Sequence, residues 1–358
     1  MVYVLLAIFA LLLFLTVKPR KQQVVWSVIL LVFMMFLVGM RNETVGVDSL
    51  QYTYRFSLDY DLEGLFYEPL YQLSVIFVSS FTNEYGWWFL LMSFITFLPL
   101  GIAICGYSKM PLLSVLIYMV STIHLFPENM NIMRQSVAIS CLLLSYLTFI
   151  NKHRIVALLL FIIAFGFHFS SLIVLPFYFL NKVYIKKPII LFSLASTFII
   201  GFFSSRLLSV DLIGHLFPQL GGAAEVGLEK LSNNYGDKTA LNAFGLIATM
   251  LPINLLCVFL IPSKNDEESY NYLFNFFFVG TIISNIIYCA IPFGFRFSYP
   301  FFVVESILFA YKYKTNKLLR IYLIFIIILF FEYLIQLSLS DRPNMIIPYK
   351  FNELFVVI

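Results

Sequence analysis

Several short stretches of this sequence gather residues able to hold an anion or move a proton. The first, RNETVGVDSLQYTYRF, begins at Arg41. If Asp48 opens a helix, Asp48, Tyr52 and Arg55 fall at i, i+4 and i+7 on one face. Asp48 is equally suited to capping that helix, and Arg41 to snorkelling at the end of the apolar run before it. In the second, PENMNIMRQS, Pro127 ends one apolar run and Asn131 is a candidate N-cap for the next, which sets Arg134 and Gln135 in a first helical turn. A helix N-terminus with an arginine beside it can bind an anion. Arginine in that turn opposes the helix dipole, so its presence asks for a chemical reason.

The third stretch, GFHFSS, carries His168 among phenylalanines at the junction of two apolar segments. A histidine titrates near neutrality and can serve as a general base or a donor. Ser170 and Ser171 could equally satisfy it as a structural residue. The fourth, IPFGFRFSYP, sets Arg296 at the entrance of an apolar run with Tyr299 one turn on; a guanidinium there suits the paired oxygens of a diphosphate. Glu68 precedes an apolar segment and could simply cap it. Glu305 and Glu332 sit inside apolar runs, where an acid is either functional or else protonated or paired. No histidine pair at helical spacing, carboxylate cluster, phosphate-binding glycine loop or serine-hydrolase elbow is present. Metal, cofactor, nucleotide-driven and nucleic-acid chemistry are therefore not expected.

The elements that must position these residues are membrane spans. Of 358 residues, 61% are apolar or aromatic and 12% are charged, which excludes a soluble domain. A span needs about 20 apolar residues to cross roughly 30 Å of hydrocarbon. Suitable runs lie at about 1–17, 24–40, 86–106, 111–127, 134–150, 155–168, 170–182, 188–203, 242–261, 270–291, 297–311 and 318–337, about twelve in all. The four cysteines fall inside these runs and read as packing residues. The expected fold is thus an all-α polytopic membrane protein, with residues 1–358 as one integral membrane domain.

Charge sets the threading. Residues 67–81 are apolar but short, and counting them as a span would invert every later loop. Laid along the surface instead, they leave Lys18, Arg20, Lys21, Lys109, Lys152, Arg154, Lys186 and Lys187 facing the cytoplasm, as the positive-inside rule requires. Both termini are then outside. So are two long loops: 41–85, with surface helices, and 204–241, rich in glycine, asparagine and acids, whose stretch 225–238 reads as a solvated lid. The legs meeting at His168 are too short to cross comfortably unless their turn is sunk below the surface. No internal repeat relates the halves, which mildly favours an outward-facing enzyme over a carrier.

The order of these pieces resembles the EpsG-type, Wzy-like polymerases of bacterial exopolysaccharide, capsule and O antigen. The pieces are Arg41 with Gly46, Asp48 and Tyr52; Glu68 with Pro69; Asn131, Arg134 and Gln135; His168 with Ser170; Arg296 with Tyr299; and Pro348 with Tyr349. The resemblance implies a membrane-embedded glycosyltransferase of GT-C-like architecture in the bacterial inner membrane. It implies a donor and an acceptor that are oligosaccharide repeat units on undecaprenyl diphosphate, joined at the outer face without metal or nucleotide sugar. The partners expected are those lipid-linked glycans, membrane lipid and a chain-length regulator. On this reading Arg134 and Arg296, together with Arg41, bind the diphosphate, and Asp48 or His168 removes the acceptor proton. Tyr52, Glu68, Gln135 and Tyr299 support them. A flippase for the same lipid-linked unit is the first alternative, and a glycan ligase or acyltransferase of the same pathway the next.

Overall fold

The computed structural model describes residues 2–57, 68–121, 125–179, 184–207, 243–288, 294–339 and 346–355. Most of the second long loop, 208–241, lies outside the described residues, as do 58–67 of the first. Among the described residues every regular element is helical, and the chain is an all-helical, polytopic membrane protein. A single antiparallel bridge joins Arg41 to Phe351.

The first helices are α1 (Val2–Thr16), α2 (Arg20–Gly39), α3 (Ser49–Ser57), α4 (Pro69–Ser79), α5 (Tyr85–Tyr107), α6 (Pro111–Val120), α7 (Leu125–Glu128), α8 (Met133–Ile150) and α9 (Arg154–Phe167). Proline sets two starts: Pro69 and Pro111 each stand in a first turn, where the missing N–H costs nothing. Asn316 caps Lys317–Ser338 by accepting from the Leu318 N–H at 3.0 Å.

Among the described residues five helices are long and apolar enough to cross a membrane: Arg20–Gly39, Tyr85–Tyr107, Met133–Ile150, Glu268–Ile287 and Lys317–Ser338. Other apolar runs are broken. The run 111–127 holds α6 and the four-residue α7. Residues 297–311 pass through a 3₁₀ turn, Gly294–Ser298, then Tyr299–Phe302 and Glu305–Lys312. Beyond His168 the chain winds as a 3₁₀ helix, Phe169–Tyr178, containing Pro176. At about 1.5 Å per residue α9 is roughly 21 Å long, and at about 2.0 Å the 3₁₀ helix is roughly 20 Å. Each alone falls short of about 30 Å of hydrocarbon, so two such legs cross it only with their turn sunk below the surface. The 11 residues of α4 reach only about 16 Å.

Two compact units divide the chain: residues 1–180 with 303–358, and residues 181–302. In the first, α2 runs antiparallel to α5. The Ser93 hydroxyl donates to the Met35 carbonyl, Arg20 Nη2 donates to the Cys105 carbonyl at 3.3 Å, and Arg41 lies over Phe89. The helices α8 and α9 also run antiparallel, pinned where Ser145 donates to the Ala157 carbonyl at 2.7 Å. Lys18, Arg20, Lys21, Lys109, Lys152 and Arg154 therefore share one end of this helix group, opposite Arg41, Arg134 and His168. Glu305 is buried, whereas Glu332 is exposed and accepts from Gln336 at 2.8 Å.

The second unit holds Lys187–Leu207, Ala243–Phe259 and Glu268–Ile287 together through buried amides. Asn254 and Asn285 donate to each other at 2.8 and 3.0 Å, and Asn285 donates to Thr197 at 3.1 Å. Polar links of this kind hold apolar helices in register where burial alone gives no direction. Cys141 and Cys257 are buried and Cys105 is half-buried, as packing residues would be, and Cys289 lies outside the described residues.

Candidate functional site

The site is assembled where α2 ends. Arg41 does not snorkel to the surface. It turns inward and is fully buried, donating to the carbonyls of Val38, Val45 (3.2 Å) and Met130 (3.2 Å) and to Ser49 Oγ (3.4 Å), with its guanidinium 4.1 Å from the Phe89 ring centre. Burial draws its pKa down to about 10, against which the nearby tyrosines Tyr52, Tyr349, Tyr3 and Tyr85 push up, so it remains a cation at physiological pH. Gly46 makes the fold around it possible: its φ is +106°, and a Cβ there would stand 2.6 Å from the Met130 carbonyl oxygen.

The C-terminal segment closes over the same node. Asn42 donates to the Lys350 carbonyl, Asn352 to the Met40 carbonyl, and the Tyr349 hydroxyl to the Leu37 carbonyl, at 2.9, 2.8 and 2.7 Å. Asp48 stands half-buried immediately before α3. Tyr52 faces inward and donates to the Asn131 carbonyl at 3.3 Å, while Arg55 is exposed, so the two do not share a buried face. Asn131 is not the N-cap of α8. That position is Ile132, and the Asn131 side chain instead accepts from the Val47 N–H at 2.9 Å, tying the start of α3 to the start of α8.

Arg134 and Gln135 do occupy the first turn of α8, which has no side-chain cap. Gln135 is buried. The Arg134 side chain keeps 31% exposure, pairs with Glu68, and spreads over Tyr71 (5.1 Å) and Tyr52 (5.9 Å). Its Nε is buried with no hydrogen-bond partner among the described residues. Glu68 is the N-cap residue of α4 but does not cap it. Its carboxylate reaches Arg134 with one oxygen and stands 3.5 Å from His168 Nδ1 with the other. His168 ends α9, and its Nδ1 also accepts the Ser170 N–H at 3.2 Å.

What brings His168 so near is Gly166. A Cβ added there would lie 2.7 Å from Cδ1 and Cγ of Leu70, so α9 and the start of α4 touch only because position 166 has no side chain. Gly166→Ala is accordingly expected to part the two segments, at about 1–3 kcal/mol of stability, and to lower turnover about tenfold by misplacing His168. Thermal unfolding in detergent and a polymer assay check both. Gly166 and Tyr71 were not among the residues singled out from sequence. Glu68–Pro69 was the available signal, since a proline in the first turn fixes where the preceding acid stands.

Arg296 lies half-buried in the 3₁₀ turn of the second unit, next to buried Tyr299. Among the described residues no cluster of His, Cys, Asp or Glu could hold a metal ion. An apolar groove of about 300 Å³ between α2 and α5, lined by Val28, Leu31, Phe97 and Gly101 among others, has no charged or hydrogen-bonding side chain to offer the chemistry.

The fold and site define a helical membrane protein with a cation, an acid and a histidine drawn together at one end of its helices. Residues 24–351 match the EpsG family, and the chain belongs to it: a family of polysaccharide polymerase-like membrane proteins. Among curated proteins and among solved structures nothing matches. Family membership makes this a glycosyltransferase-like polymerase of polysaccharide biosynthesis.

Proposed function

We propose that the chain is an oligosaccharide repeat-unit polymerase. It threads the bacterial inner membrane about twelve times in a GT-C-like arrangement and works at the outer face, with both termini there. Donor and acceptor are repeat units on undecaprenyl diphosphate, for O antigen, capsule or exopolysaccharide. The observation that carries this reading is the convergence of Arg134, Glu68 and His168 from three separate segments at the helix ends opposite Lys18, Arg20 and Lys109.

His168 takes the proton of the acceptor sugar hydroxyl, with Asp48 as the alternative base. The freed oxygen forms a bond to the anomeric carbon of the growing glycan. The bond from that carbon to the carrier's diphosphate breaks, and its electron pair leaves with the diphosphate oxygen. Arg134 and Arg296 hold the departing charge through charge-assisted hydrogen bonds. Arg41 serves them at one remove, by fixing the segments that carry Asp48 and Arg134. The diphosphate linkage drives the transfer, so neither metal nor nucleotide sugar takes part. A chain-length regulator would act on the product.

Purified protein in liposomes, given only a synthetic lipid-linked repeat unit, is expected to make a ladder of polymers without ATP, nucleotide sugar or added metal. Movement of the unit across the bilayer with no new glycosidic bond would instead identify a flippase. Reporter fusions at Lys109 and Asn151 test the threading, and both are expected in the cytoplasm. An external reporter at either site would invert it.

A further inference from the structure

Glu68 presents a chemical conflict. It is nearly buried, yet it sits on the arginine that the proposed reaction needs for a diphosphate, and its second oxygen is a poor 3.5 Å from His168. His168 Nδ1 is meanwhile accepting the Ser170 N–H at 3.2 Å. Accepting uses the lone pair of that nitrogen, so the proton of a neutral imidazole is on Nε2. In that tautomer Nε2 is a donor and cannot act as a base.

We infer that Glu68 is an internal anion which the substrate diphosphate displaces from Arg134, and that its release switches His168 into the base tautomer. The inference rests on the diphosphate reading of Arg134. Once a diphosphate takes the guanidinium, Glu68 loses its cation and keeps one nearby partner, the imidazole. The imidazole then gives its Nε2 proton to water and takes one from water on Nδ1, which gives up the bond accepted from the Ser170 N–H and donates to Glu68 instead. The lone pair now lies on Nε2 and can take the proton of the acceptor hydroxyl. When that proton arrives, the adjacent carboxylate stabilises the imidazolium, the service an orienting acid gives a catalytic histidine. Base strength is thereby withheld until the donor is bound, which protects the linkage from water. Glu68 acts through His168 and Arg134, so it is a positioning residue.

Titratable and charged groups among the described residues surround His168. Glu68 at the start of α4 is nearest; Arg134 of α8 stands behind it. Tyr71 of α4 and Tyr52 of α3 flank Arg134, and Arg55 is close enough to act on Tyr71. A carboxylate beside an imidazole favours its protonated form. Removing it should therefore move the acid limb of the rate to lower pH.

The full chain in lipid nanodiscs, with inorganic pyrophosphate as the probe, tests this. In ¹⁵N-histidine-labelled wild type, pyrophosphate is expected to convert one imidazole from the Nε2–H to the Nδ1–H pattern, a signal that His168→Gln removes. Glu68→Gln is expected to bind pyrophosphate about fivefold more tightly, yet to extend lipid-linked glycan about 100-fold more slowly. The acid limb should shift down, and Glu68→Asp should restore part of the rate. Unchanged or weaker pyrophosphate binding by Glu68→Gln would overturn the inference. So would a wild-type imidazole that ignores bound pyrophosphate, a measurement that needs no variant to fold. Pyrophosphate binding that Arg134→Gln leaves intact would refute the diphosphate reading itself.

Discussion

Replacing Arg134 with glutamine is expected to lower chain extension by about 100- to 1,000-fold, the effect of removing one preorganised donor from developing negative charge. The loss should fall on turnover, because the interaction strengthens as the diphosphate departs. Lysine in its place keeps the charge but not the planar fork that meets two oxygens at once, so Arg134→Lys should recover about tenfold at most. The side chain is 31% exposed and its tertiary contacts are Glu68 and two tyrosine rings. The glutamine variant should therefore melt within a few degrees of wild type. A large fall in melting temperature would mean that Arg134 is chiefly structural.

Arg41 is expected to behave in the opposite way. Arg41→Met removes a buried cation, strands the Val38 carbonyl, and leaves the Val45 and Met130 carbonyls to share the single proton of the Ser49 hydroxyl. Two buried carbonyls are then left unmade at about 1–3 kcal/mol each, so a destabilisation of at least about 2 kcal/mol is expected. Arg41→Lys should fare little better, since one ammonium cannot reach carbonyls that lie in three directions. Thermal unfolding in detergent and protection from protease distinguish the two arginines. An Arg41→Met protein that melts like wild type but has lost pyrophosphate binding would return Arg41 to the role of a direct ligand.

The contrast between these arginines marks what the sequence could convey. A helix start at α8 with Arg134 and Gln135 in its first turn was readable because Pro127 and Asn131 interrupt the apolar run on one side of it. His168 at the turn between two short legs was readable from their lengths. Arg41 looked like a surface cation because its sequence neighbourhood says only that an apolar run ends there. The carbonyl that buries its far side belongs to Met130, a long-range contact that no local spacing encodes. Asn131 misled for a related reason: an asparagine before a helix usually caps it, and here the Val47 N–H claims the side chain instead.

Hydropathy located apolar runs well and their internal breaks poorly. Residues 170–182 and 297–311 read as continuous spans, yet the described parts wind as 3₁₀ segments and short helices around Pro176 and Pro300. Proline in an apolar background barely changes a hydropathy sum, although it removes a backbone donor and forces the break. Glu68 was recognised as a cap and, through the resemblance, as a supporting residue, but not as the acid that reaches both Arg134 and His168. Its place between Arg134 and His168 depends on Gly166 admitting Leu70, a packing detail of two segments far apart in the chain.

The central claim is that this chain joins lipid-linked repeat units through a site built on Arg134. Its most direct test is a gel of lipid-linked and surface glycan from cells lacking the gene, complemented with wild type or with Arg134→Gln. The expected result is a full ladder with wild type, and single-repeat product without a ladder with the variant or with no complementation. Complete absence of outer-face glycan in the deleted cells, single repeats included, would contradict the claim and assign the chain to moving the unit across the membrane. A normal ladder from Arg134→Gln would contradict the site.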